Sequence, residues 1–329
     1  MAAEHSEPAG LSWAAYVDWL ASESGSLAAA AERLSAHHGH RDDVGSIERA
    51  LRRLRQREHG DGGKWGLRAL VLFGLPGAAE ARLRWLGAYH SRFTDLPVPV
   101  CEDLVRLWDR PPLNQSRAAR AWLPLAQASV ALRRADEALA ATCLARVRAQ
   151  LASAPPDAQV ELLLIEAYLA SRAAPASVEA LLAAVAGPLA RVTDDETRAC
   201  LAARWVDQRA YALHRRSPPD YAASTALYEA QPPSDAPPFV LCRRAAGLAF
   251  VRWKLGHPDE AASLAREAVR HAGDGGHVRL RAMALTMLAR VSQGPAADEA
   301  RQRAAAIATR LDDETLRLRL ARLPRYARS

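Results

Sequence analysis

At 329 residues the chain has length for roughly two or three domains, and 50% of it is apolar with only 6% aromatic, so Ala, Leu and Val must build the core. Eighteen Gly, twenty Pro and 25% charged residues are ordinary proportions, which excludes a collagen-like, low-complexity or disordered chain. The net charge is +7 and Lys64 and Lys254 are the only lysines among 44 basic residues, an Arg excess that follows Ala-, Gly- and Pro-rich composition as readily as it follows function.

Few β-branched and aromatic residues beside abundant Ala, Leu, Arg and Glu favour helix nearly throughout, so the expected fold class is all-α. Trp13, Tyr16, Trp19 and Leu20 recur at helical spacing, as do Leu27, Ala31 and Leu34, and then Ile47, Ala50, Leu51 and Leu54. Three amphipathic helices are predicted, with Ser26 and Ser46 as N-caps whose hydroxyl oxygens accept first-turn amides. Opposite the third apolar stripe stand Arg49, Arg52, Arg53 and Gln56, and residues 46–68 carry seven basic against three acidic side chains. The pattern resembles a helix-turn-helix unit. That resemblance implies Arg49, Arg52 and Arg53 on phosphates or guanine edges, Gln56 on adenine, and Lys64 as a further cation. The linker over 37–45 is longer than the usual turn, which points to a winged or otherwise divergent version with Gly60-Asp61-Gly62-Gly63-Lys64-Trp65-Gly66 as the wing. A solvated basic helix face is the competing account of the same residues.

Residues 67–112 read as short helices broken at Gly74-Leu75-Pro76, Asp95-Leu96-Pro97 and Arg110-Pro111-Pro112. Their Trp85, Tyr89, Phe93 and Trp108 are expected at the seam between a front domain and the first repeat, and Pro111-Pro112 divides that front domain (1–112) from a second (113–329).

Beyond that boundary the sequence repeats. Glu137-Ala138, Glu179-Ala180, Tyr221-Ala222, Glu260-Ala261 and Glu299-Ala300 place their alanines 42, 42, 39 and 39 residues apart. Each pair opens a predicted helix with a small-residue stripe (Ala138, Thr142, Ala145; Ala261, Ala265, Ala268; Ala300, Ala304, Ile307), and another apolar helix precedes it. In the clearest copy Gly256-His257-Pro258 supplies the turn: Gly for positive φ, Pro for a first helical turn that needs no amide hydrogen. Over about 116–308 the array resembles the tetratricopeptide repeat family, with a period longer than the family's about 34 residues. The resemblance implies an α-α superhelix whose concave side holds a protein or peptide segment. The physics agrees: one hairpin cannot bury its apolar faces alone, so neighbours stack and leave an extended surface. The tail from Leu316 to Leu323 alternates Leu and Arg and reads as a capping helix.

Other residues are chemically suggestive but badly spaced. His37, His38 and His40 with Asp42 and Asp43 lack the paired i, i+4 histidines of a helical metal site, so no metal is expected. His90, Ser91, Asp95 and Cys101 hold the ingredients of a nucleophilic site, yet triads assemble from distant segments. No enzyme activity and no cofactor are expected. Cys101, Cys143, Cys200 and Cys242 lack close pairing and read as reduced core thiols. Without a signal peptide or a long apolar run, a cytoplasmic address without a membrane partner is expected. Two functions stay open: a regulator whose repeats sense a protein while the front domain contacts DNA, or an interaction scaffold with no nucleic-acid contact.

Overall fold

In the computed structural model the described residues are 10–38, 43–173 and 175–323, and among them every regular element is helical, with no strand. The front region holds α1 (Trp13–Ser24), α2 (Leu27–His38), α3 (Val44–Leu54), α4 (Gly63–Phe73), α5 (Gly77–Gly87) and α6 (Val98–Trp108). Trp13, Tyr16, Leu20, Leu34, Ile47, Leu51 and Leu54 are buried together, so the apolar spacing names the inner faces correctly. Ser26 caps α2 by accepting the Ala29 amide at 3.0 Å. Ser46 does not cap: Asp43 accepts the Ser46 amide and α3 begins at Val44, three residues earlier than its serine signals.

The expected wing is absent, because Gly63 opens α4 and no strand flanks it. Its glycines have a packing role instead. A Cβ on Gly62 would lie 2.2 Å from the Trp13 ring and one on Gly66 2.8 Å from it. Only hydrogen at those positions lets the Trp13 indole lie flat on α4 and donate to the Gly60 carbonyl at 2.8 Å.

Five helical pairs come next: α7 (Arg117–Arg133) with α8 (Glu137–Arg148), α9 (Pro156–Ala173) with α10 (Val178–Ala184) and α11 (Ala186–Ala190), α12 (Asp195–His214) with α13 (Tyr221–Glu229), α14 (Pro238–Lys254) with α15 (Pro258–Asp274), and α16 (Val278–Val291) with α17 (Gly294–Leu311). Asp136 and Asp220 cap α8 and α13 through the Leu139 and Ala223 amides, and Gly256, at φ 86°, turns the chain before α15. Each recurring pair from the sequence does mark the second helix of a hairpin. The expected stripe is out of register in the early copies. Ala261, Ala265, Ala300 and Ala304 are buried, whereas Ala138, Thr142, Ala145, Ala180 and Ala222 face solvent. The buried positions there are Ala140, Leu182 and Ser224.

The apolar core does not stop at Pro111-Pro112. One cluster runs from Trp13 through Leu86, Phe93 and Trp108 into Trp122, Leu144 and Ile165, joining the front region to the first hairpins. Smaller clusters then bridge successive hairpins, as stacking requires. The last element, α18 (Glu314–Ala321), is the helix expected of the tail. It packs on α17 and α16 and also on α7, so the end of the array returns to its beginning.

That return is fixed by charge. Arg133 of α7, 2% exposed, donates from Nε to Asp313 Oδ2 at 3.1 Å, and Arg279 of α16 donates to the same oxygen at 2.8 Å. The second carboxylate oxygen of Asp313 caps α18 through the Leu316 amide at 3.0 Å. Replacing Asp313 by Ala leaves two buried guanidinium groups sharing no anion, and a loss of about 3–5 kcal/mol is expected from breaking a buried pair on one side. Denaturant unfolding measures it. The half-exposed neighbour Asp312→Ala should shift the midpoint far less, and equal losses would show that closure does not rest on Asp313.

Candidate functional site

The basic face predicted on the third helix is present on α3. Arg49 and Arg52 are 69% and 67% exposed on the side opposite the buried Ile47, Leu51 and Leu54, with Arg53 beside them. Acidic neighbours moderate it. Arg52 donates to Glu48 at 2.5 Å, Arg49 lies 3.9 Å from Asp43 and donates to the Ser46 hydroxyl, and Arg53 donates to the Arg49 carbonyl at 3.4 Å. Gln56 falls beyond the helix end in the following turn, exposed. Lys64 stands in the first turn of α4 with Nζ 4.8 Å from the Trp65 ring centre. The structure thus groups three arginines on one helix and leaves Gln56 and Lys64 on neighbouring elements.

The chain's own Tyr89 is held among the first helices of successive hairpins. The turn after α5 carries it against α9, α12, α14 and α16. The Tyr89 amide donates to Glu161 of α9 at 3.0 Å, and Arg279 of α16 donates to its phenol oxygen at 2.7 Å. Arg204 of α12 lies 4.4 Å from the ring centre and Arg243 of α14 lies 5.4 Å from it, both over its face. Three of these cations have their own carboxylates: Arg204 with Glu161, Arg243 with Asp207, and Arg279 with Asp313. Burial alone would raise the Tyr89 phenol, but Arg279, Arg243, Arg319 and Arg204 outweigh it and bring it down to about 8. Glu161 obeys the same logic. Burial opposes its charge, Arg204 and His90 favour it, and its carboxyl is held at about 2. The void beside Tyr89 measures about 10 Å³, room for a single water.

The nucleophilic ingredients disperse into this seam. Ser91 donates to the Trp85 carbonyl at 2.6 Å, Asp95 accepts from Arg92 and from the Arg279 amide, Cys101 lies 3.3 Å from an Arg133 nitrogen, and His90 faces Glu161 at 3.8 Å. Trp85 and Phe93 stack edge to face within the core, so the aromatic seam is real, and Tyr89 carries it to the far hairpins. Among the described residues no group of three or more His, Cys, Asp or Glu is placed to hold a metal ion. His40 and Asp42 and the side chain of His38 lie outside the described residues. All four cysteines are free and buried, and among the described residues no helix is long and apolar enough to cross a membrane.

A recess of useful size opens on the array, about 340 Å³ between α10, α12 and α13. Its floor is Leu182, Trp205, Leu213 and Leu227. The Trp205 indole is pinned by donating to the Leu182 carbonyl at 2.8 Å. Arg209 stands over the Trp205 ring at 5.0 Å, and Arg216 pairs with Glu179 at 2.8 Å along the rim. The recess lies between the second helices α10 and α13, along the C-terminal half of α12. Pro188 has no amide hydrogen to give, so the helix after Val178 is interrupted into α10 and α11, and α13 has 9 residues where α15 has 17. Sequence reasoning missed these residues, and no local pattern in the chain marks them.

No family model matches the chain, and no curated protein and no solved structure is significantly similar to it. The residues therefore carry the functional argument alone. The Tyr89 environment is directly testable. One tyrosine should ionise near pH 8 in ultraviolet difference absorbance, against the ordinary 10, and that step should vanish in Tyr89→Phe. Because the folded value is the lower, the phenolate contributes stability fully above pH 10 and loses it as pH falls through 8. The stability gap between wild type and Tyr89→Phe should widen in favour of wild type from pH 8 to 10. A flat gap would contradict the arginine enclosure.

Proposed function

We propose that this chain is a protein-binding helical-repeat protein of the tetratricopeptide type, whose hairpin array holds a protein or peptide segment and whose front domain contacts duplex DNA, so that it acts as a regulator coupling the two. The observation that carries the binding reading is the recess at α10, α12 and α13. It is an apolar floor left open on the array, and it exceeds the void beside Tyr89 by more than an order of magnitude, about 340 against 10 Å³. Open apolar surface rimmed by polar side chains is where protein partners anchor. Tyr89 engages the first helices α9, α12, α14 and α16, so the reading rests on the recess between α10, α12 and α13.

DNA contact is supported by Arg49, Arg52 and Arg53 standing exposed on one helix. The scaffold reading, without nucleic acid, is favoured by a specific opposing observation: Asp43 and Glu48 already sit beside two of those three cations.

Two measurements separate these readings. Duplex affinity followed by fluorescence anisotropy should fall steeply with salt, and Arg49→Ala, Arg52→Ala and Arg53→Ala together should weaken it and flatten the slope by about 2 to 3 log units per log of salt. If wild type binds no duplex at low salt, the scaffold reading stands in its place. For the array, a photo-crosslinking residue at exposed Ala183 should capture a polypeptide in cells that the same residue at exposed Arg270 on α15 does not. Equal capture at both positions, or none, would remove the recess as the binding surface.

A further inference from the structure

We propose that the recess between α10, α12 and α13 takes an acidic amphipathic helical segment, seating one bulky aliphatic or aromatic side chain on Trp205 and pairing an Asp or Glu one turn away with Arg209. The proposal rests on the protein-binding reading above and gives the partner its chemistry.

The helical form follows from the groove. The recess runs along the C-terminal half of α12, from Trp205 to Arg216, between α10 and α13. Leu213, near the end of α12, and Leu227 of α13 remain partly exposed at that place, with the flat face of Trp205 between α12 and α10. A helix of two or three turns from another chain can lie between α10 and α13 on α12 and satisfies its own backbone hydrogen bonds while doing so, which an extended strand laid on helices does not. A recess of about 340 Å³ holds one or two large side chains rather than a continuous apolar ridge, so a single anchor is expected.

The acidic flank is a matter of charge. Among the described residues Arg209 has the Trp205 ring as its partner and no carboxylate, while the other rim cation, Arg216, is matched by Glu179. The rim therefore carries one uncompensated positive charge directly over the apolar floor. A guanidinium already oriented by an aromatic face is ordered to receive a carboxylate, and a basic segment would be repelled there.

Selection of random peptides displayed on phage against the full-length chain tests this. The expected result is enrichment of sequences with Leu, Phe or Trp flanked at helical spacing by Asp or Glu. Synthetic copies of those peptides should bind wild type and lose about tenfold or more in affinity against Trp205→Ala. Arg209→Glu changes only an exposed side chain and keeps the fold, and selection against it should return Lys- or Arg-flanked peptides. Peptides that depend on Trp205 but carry neutral or basic flanks on wild type, or whose flanks ignore Arg209→Glu, overturn the acidic partner while leaving protein binding intact. Peptides indifferent to both substitutions overturn the recess as the site. Failure to select any peptide, together with no crosslinked partner from Ala183, overturns the protein-binding reading itself. Circular dichroism of Trp205→Ala separates lost binding from lost helix.

Discussion

A single buried carboxylate organises the array. Asp313 takes donors from Arg133 and Arg279 on one oxygen and caps α18 with the other, so three helices far apart in sequence meet on two atoms. Taking two guanidinium groups and a carboxylate out of water is costly, and the cost is offset only when every charge finds its partners. That condition explains the company it keeps. Arg134 adds bonds to Glu102 and Asp312 on the exposed side, Thr315 donates to the Leu132 carbonyl, and Arg279 passes from Asp313 to Tyr89. Stacked apolar hairpins set no end point by themselves. The polar contacts decide where α18 begins and docks.

Much of this fold was legible in the residues and some was not. The 3.6-residue spacing of Trp13, Tyr16 and Leu20, and of Ile47, Leu51 and Leu54, named the buried faces because large side chains leave little doubt about which side is wet. Proline pairs and Gly256 marked the breaks for backbone reasons that hold anywhere. The alanine stripe failed in the early hairpins because alanine is nearly as content outside a helix bundle as inside it. Ala138 and Ala140 look alike in sequence, and only the larger Leu144 and Val147 discriminate. The glycine run at 60–66 imitated a loop, since its purpose, room for Trp13, lies 47 residues away. The network at Asp313 spans 180 residues and leaves no local trace beyond arginines set in apolar helices.

The candidate surfaces were legible in a similarly uneven way. Arg49, Arg52 and Arg53 could be grouped from helical spacing alone, but their moderation by Asp43 and Glu48 needed coordinates. Trp205 and Arg209 carried no signal of their own, because what exposes them is the gap between α10 and α13, a property of other segments. Tyr89 illustrates the converse. As part of an aromatic-rich stretch it read as seam material, and it is, yet four arginines from four helices converge on it and give its phenol an acidity unlike a core tyrosine's.

Closure also constrains how this architecture can vary. In an open stack each unit touches only its neighbours, and units can be gained or lost at modest cost. Here α18 must arrive beside α7 with Asp313 level with Arg133, and one hairpin more or fewer between them would carry that carboxylate, with Arg279, away from Arg133. The copy number is thereby locked like the tooth count of a gear.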